Sequence, residues 1–298
     1  MLQTRVVQKG DAVNLSLKTR LLRRGEAIAQ AGLTLKNIAV DLDETIWEWS
    51  LPLLPQPWLL GYHREVVFVR DPLIWLLQGI GGGPLNAWTA GYGVRVDRIC
   101  EQHTDLATLL ALDPKSGDEA EKHPTIVTRR DFVSAVEKQP SLIPDPVGSW
   151  ISQKIPGAPT LAGKATVDQA RVLFDDKESN CRRFVEAGEG RSAIWLCKTE
   201  RAWRASLPLL RVQPPKAQRW ADGIAEALEA IANGQTGLYP VMPVKSEHLI
   251  EGVTVRLPHT AGYRDWLRPR RVLRTILKKE QRRRESIPPP PPSHTTES

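Results

Sequence analysis

Ile38-Ala39-Val40-Asp41-Leu42-Asp43-Glu44-Thr45 is an apolar run that ends abruptly in carboxylates. A short apolar run bounded by charge reads as a buried strand. Two carboxylates two residues apart point to the same side if the segment stays extended. Val172-Leu173-Phe174-Asp175-Asp176 repeats the pattern. Two such strand ends side by side concentrate negative charge, and a hard cation such as magnesium would balance it through oxygen ligands.

Working outward, Asn14 to Gly32 reads as a basic helix, and Lys36 to Asp41 as the first core strand. Trp47 to His63 is aromatic and carries Pro52, Pro55 and Pro57, which suits an irregular flap. Val66 to Val69 is a short strand. Asp71 is expected to cap a helix with Pro72 in its first turn. Leu85 to Thr89 is a second core strand, and Asp97 to Leu112 and Arg129 to Lys138 are expected helices. Val167 to Phe174 leads the second acidic strand end. Glu178 to Ala187 is a helix stopped at Gly188, Ser192 to Leu196 is a strand, and Ala217 to Ala232 is an amphipathic helix closed by Gly234. Strands alternating with helices imply an α/β, Rossmann-like parallel sheet with helices on both faces. Ligands then bind at the carboxyl ends of the strands, where the acidic residues fall.

The acidic strand ends resemble motifs of the haloacid dehalogenase-like phosphatase superfamily. Its first motif, a strand followed by Asp-x-Asp-x-Thr, reads here as Asp41, Asp43 and Thr45. Its second, a strand ending in Thr or Ser, matches Leu85-Asn86-Ala87-Trp88-Thr89-Ala90-Gly91. Its third, a lysine ahead of the last motif, matches Lys154, 21 residues before Asp175, with Lys164 as the rival. Its fourth is an acidic pair after a strand, here Asp175 and Asp176. One Asp pair at a strand end also serves as a helix cap or a solvated turn; four motifs in order set that reading aside. The Trp88-Thr89-Ala90-Gly91 wording is most similar to the small-capped branch, with its magnesium-dependent phosphatases and RNA polymerase C-terminal-domain phosphatases.

The resemblance implies a magnesium-dependent hydrolase of phosphomonoesters. Asp41 would attack phosphorus and form an aspartyl-phosphate, because covalent catalysis divides one difficult displacement into two. Asp43 would serve as general acid and then base. Asp41, the Asp43 backbone carbonyl and Asp175 would bind magnesium, with Asp176 as a direct or water-bridged ligand. Thr89, Ala90 and Thr45 would hold the transferring oxygens, and Lys154 would neutralise charge on Asp41. Arg70 is either a substrate contact or half of a surface ion pair.

The division expected is an N-terminal helical extension over 1–33, a catalytic domain over 34–235 with a flap at 46–66 and an insert at about 94–151, a basic extension over 236–286, and a Pro-rich disordered tail over 287–298. Hydrophobic content of 41% and charge of 25% are ordinary for a globular chain of 298 residues. Cys100, Cys181 and Cys197 have no metal-ligand spacing and read as reduced thiols of a cytoplasmic protein. The six histidines also lack ligand spacing, so no zinc site is expected. Met1 to Leu15 lacks the apolar segment of a signal peptide. The uncharged stretch Pro72 to Val94 is broken by Gly81-Gly82-Gly83-Pro84 and reads as helix, turn and strand, not a membrane span.

Net charge is +7, and Arg264 to Glu285 holds ten Lys or Arg against three acids. The basic character is therefore local. Such a segment suits nucleic acid, an acidic partner or an anionic membrane surface. It suggests a phosphoprotein or nucleic-acid end as substrate. It also supports a rival reading, in which the chain is a non-catalytic nucleic-acid-binding or scaffold protein working through that segment.

Overall fold

The computed structural model describes residues 9–50, 62–89, 93–113, 120, 122–128, 131, 170–186, 188–198, 220–242 and 252–258, with 275, 278, 279, 282 and 286. Six strands form a parallel sheet: β1 (Ile38–Asp41), β4 (Asn86–Trp88), β5 (Ile126–Val127), β6 (Val172–Asp175), β7 (Ser192–Leu196) and β8 (Gly237–Val241). Their order across the sheet is β5-β4-β1-β6-β7-β8. The chain leaves β1 toward β4 and later returns to β1's other edge with β6, so the strand order reverses at β1. Such a switch point opens a crevice at the carboxyl ends of the flanking strands. Asp41 ends β1 and Asp175 ends β6, on neighbouring strands paired in register from Ile38↔Val172 to Val40↔Phe174.

The α-helices with bounds among the described residues are α1 (Lys9–Gln30), α2 (Asp71–Ile80), α3 (Gly93–Cys100), α4 (Thr104–Leu110), α5 (Glu178–Glu186) and α6 (Trp220–Ala232). Val40, Phe174 and Ile194 join one buried cluster with Leu21 and Ile28 of α1, Leu73 and Ile74 of α2, and Ile224 and Leu228 of α6. The alternating Ala39, Leu173 and Ala193 are also buried but lie outside that cluster. Side chains alternate across a strand, so these positions face the opposite layer, where α5 packs on β6 and β7. Burial on both faces explains why these strands are continuous apolar runs.

Three expectations change here. Among the described residues of the stretch expected as an insert, nearly all of α3 and all of α4 and β5 are present, and Val96, Ile99, Leu106, Leu110 and Ile126 enter the main core. Their apolar positions are divided between elements too short to show a period. The single helix expected over 97–112 is two, separated by a turn at 101 and 102. Asp71 begins α2 inside the helix instead of capping it, with Arg70 at the cap position. The Asp71 carboxylate pairs with His103 Nε2 at 2.6 Å. His103 Nδ1 accepts the Leu106 N–H at 3.1 Å, so the ring proton lies on Nε2 and points at Asp71.

A second sheet has the order β2-β3-β9, from β2 (Trp47–Ser50), β3 (Tyr62–Val69) and β9 (Gly252–Pro258). The expected irregular flap is thus antiparallel strand at both ends, and its Pro-rich middle lies outside the described residues. β9 comes from the stretch expected as a basic extension and pairs with β3 from Tyr62↔Pro258 to Phe68↔Gly252. The boundary expected at 235 likewise falls just before β8, the last strand of the main sheet. The N-terminal helix is no appendage either, because its Leu21 and Ile28 are core residues. No helix among the described residues is long and apolar enough to cross a membrane.

Candidate metal and phosphoryl site

β1 hands over to a tight turn. The Leu42 N–H still donates to the Trp88 carbonyl at 2.8 Å, continuing the ladder with β4. The Leu42 carbonyl then accepts from Ile46 N–H at 2.9 Å and Trp47 N–H at 3.2 Å. Glu44 takes a left-handed φ of 63° to close this turn. Such a conformation is costly for a residue with a Cβ, so the surrounding structure must hold it. Asp43 makes an isolated bridge with Trp47 inside this turn, two residues beyond the end of β1.

Asp41, Asp175 and Asp176 are all buried, and each offers a carboxylate oxygen within 4.8 Å of the other two. Asp175 is fixed from its own chain: the Lys177 N–H donates to Oδ1 at 2.9 Å and the Asn180 amide to Oδ2 at 3.0 Å. Trp195 Nε1 donates to the Asp176 carbonyl at 3.1 Å, tying the acidic pair to β7. The donor set is all oxygen and all anionic, with no His or Cys. That donor chemistry could hold a hard divalent cation.

Asp43 is turned elsewhere. Its Oδ2 accepts the Thr89 hydroxyl at 2.5 Å, and its Oδ1 accepts from the Trp47 indole N–H at 3.3 Å. Arg95 Nη1 on α3 lies 3.5 Å from the same Oδ1. The structure thus brings Thr89 to Asp43, as a strand-end hydroxyl beside the first motif. Thr45 is buried in the turn, and its hydroxyl has no hydrogen-bond partner among the described residues. Ala90, Lys154 and Lys164 lie outside the described residues.

Arg70 is neither a surface ion pair nor open to substrate. It is 4% exposed. Its Nη1 donates to the Glu44 and Thr45 carbonyls at 2.6 and 2.8 Å, and its Nη2 pairs with Glu48 at 2.6 Å. Arg70 clamps the turn that carries the left-handed Glu44. Burial pushes the Arg70 guanidinium down from its ordinary value, and the Glu48 and Glu44 charges oppose that shift.

Two cations of the site escaped sequence reading. Arg95 sits in the stretch least legible by pattern. Lys198 follows β7, and its ammonium lies 2.8 Å from Asp176 Oδ2 and 3.7 Å from Glu44 Oε2. The rule that ligands gather at the carboxyl ends of parallel strands applies to β7 as to β1 and β6, and was the available signal. Burial alone would lower the Lys198 pKa, but the Asp176 hydrogen bond and the Asp176, Glu44 and Asp41 charges outweigh it and raise it. Glu44 is pushed up mainly by burial, with Glu48 and Asp176 adding to the rise and Lys198 and Arg70 opposing it.

The three cysteines are free and buried. Burial pushes the Cys100 and Cys197 thiols up to about 12, so neither has thiolate character at neutral pH. Lys278, Lys279 and Arg282 of the basic segment are exposed. Comparison of the chain with models of known families, with curated proteins and with solved structures gives no match.

Proposed function

We propose that this chain is a magnesium-dependent phosphomonoester hydrolase acting through an aspartyl-phosphate on Asp41. The observation that carries the reading is the buried Asp41–Asp175–Asp176 cluster at the strand-order reversal, with carboxylate oxygens within 4.8 Å of one another. The ordered resemblance to haloacid dehalogenase-like phosphatase motifs supports it. Asp41, Asp175 and Asp176 would hold magnesium, which would supply the charge neutralisation that lets an anionic nucleophile meet an anionic ester.

In this reading an Asp41 oxygen bonds to phosphorus as the ester P–O bond breaks. Asp43 gives its proton to the departing oxygen. Water then attacks the aspartyl-phosphate and passes a proton to Asp43, releasing inorganic phosphate and free Asp41. Thr89 holds Asp43 through one oxygen and Trp47 holds the other, so the acid/base group is fixed in direction before substrate arrives. Arg70 holds the turn that presents it. The basic segment 264–285 suits a polyanionic substrate, such as a phosphoprotein or a nucleic-acid end.

The test is hydrolysis of an aryl phosphate by the wild type and Asp41→Asn, with magnesium and with chelator. The reading expects turnover that needs magnesium and disappears in the variant. Undiminished turnover by Asp41→Asn would overturn it.

A further inference from the structure

We propose that Lys198 is a resident cation of this site, neutralising Asp176 when no metal is bound and holding a phosphoryl oxygen when one is. The inference rests on the phosphoryl-transfer reading above and assigns a role to a residue outside the recognisable motifs.

Lys198 stands just past β7, the strand beside the one that ends in Asp175. Its ammonium contacts Asp176 at 2.8 Å and Glu44 at 3.7 Å, and Asp41 is close enough to act on its charge. The partners differ sharply in exposure: the Asp176 side chain is 3% exposed and that of Lys198 54%. The pair therefore joins a buried carboxylate to a cation at the solvent mouth.

Charge balance gives the second argument. Asp41, Asp43, Asp175, Asp176 and Glu44 gather here; among the described residues the nearby cations are Arg95 at Asp43, Lys198 at Asp176, and Arg70, whose charge acts on Glu44 and Asp176 from the turn. A divalent cation held by Asp176 would compete with the ammonium for that carboxylate. Lys198 is long, half-exposed and strongly charged, so it can turn from Asp176 to an incoming phosphate oxygen without leaving the site. A compact ammonium with rotatable donors suits an anion that changes geometry as it reacts.

The proposal predicts opposite shifts in two affinities. Removing the ammonium leaves the cluster more negative and relieves competition, so Lys198→Ala should bind magnesium tighter, by about 3- to 30-fold for a half-exposed unit charge. The same change should weaken inorganic phosphate binding to the magnesium-saturated protein by about tenfold or more. Lys198→Arg should keep both affinities within about threefold of wild type. Calorimetric titration of the full chain with magnesium, and then with phosphate, measures both without turnover. An unchanged magnesium affinity in Lys198→Ala would overturn the resident-cation role. An unchanged phosphate affinity, or a wild type that binds no phosphate, would overturn the phosphoryl contact. If both shifts appear while the wild type hydrolyses no phosphate ester, the hydrolase reading fails and Lys198 keeps its role. Turnover without either shift would do the reverse.

Discussion

The Thr89 hydroxyl donates to Asp43 Oδ2 at 2.5 Å, joining the end of β4 to the turn after β1. The bond orients the proposed acid/base carboxylate, whose other oxygen is held by Trp47. Thr89→Val keeps the shape and removes the donor. We expect kcat for an aryl phosphate to fall by about 10- to 100-fold, while stability changes by about 1 kcal/mol. Chemical denaturation alongside kinetics checks both. A large stability loss with unchanged kcat would make the bond structural only.

Arg70 is the structural counterpart of that bond. It satisfies two carbonyls of the turn and pairs with Glu48. Arg70→Met would leave those acceptors without their donor in a buried setting. The expected loss is about 3 kcal/mol, since breaking one side of a buried charged network strands the other. Glu48→Gln should cost less, because the Glu48 side chain is 35% exposed and the carbonyl contacts remain. Urea unfolding of both variants measures the difference.

α1 and α2 approach closely at two glycines. A Cβ on Gly79 would lie 2.2 Å from the Leu22 carbonyl oxygen, and one on Gly25 would lie 2.4 Å from that of Leu76. Both obstacles are backbone, so the helices must separate to admit a methyl group. Gly79→Ala should destabilise the fold by about 2–3 kcal/mol despite the better helix propensity of alanine. A melting temperature at or above wild type would contradict this packing.

Asp105 links α4 to α1 and α2, accepting from Lys18 at 2.6 Å and from Trp75 Nε1 at 3.2 Å. Burial alone would raise its pKa; the Lys18 and Trp75 contacts outweigh burial and hold it below its ordinary value. A carboxyl depressed in the folded state contributes stability above its unfolded pKa of about 3.9, lost as pH falls through the folded value. Lys18 and Asp105 are each about a third exposed, so screening limits the contribution to about 0.5–1 kcal/mol. Asp105→Asn should therefore be less stable than wild type at pH 6, with the gap closing as pH falls below the ordinary carboxylate range. A gap that stays constant across that range would contradict the assignment.

The sheet was legible because its strands are buried on both faces. Ile38 to Asp41 and Val172 to Asp175 stand out as apolar runs ending in carboxylates, and Ser192 to Leu196 as an apolar run after a single serine. Edge elements were not legible in this way. β5 has two residues, β8 contains Pro240, and β9 pairs with a strand nearly 200 positions earlier, a partnership that no local pattern encodes. Within the site, Asp41, Asp175 and Asp176 were readable because strand ends announce them. Lys198 and Arg95 were not, because each is a single charge whose meaning comes from a residue distant in sequence. Arg70 was misplaced for the same reason: nothing local shows that its guanidinium turns inward to the carbonyls of residues 44 and 45.

The most direct test of the central claim is to look for the covalent intermediate. Asp43→Asn should slow the water step, so a phosphoryl group from a labelled, reactive aryl phosphate should remain on the acid-quenched protein. The account predicts magnesium-dependent label, mapped to Asp41 and released by hydroxylamine, and none in the Asp41→Asn/Asp43→Asn double variant. Label retained in the double variant, or turnover by the wild type with no label on Asp41 in Asp43→Asn, would contradict it.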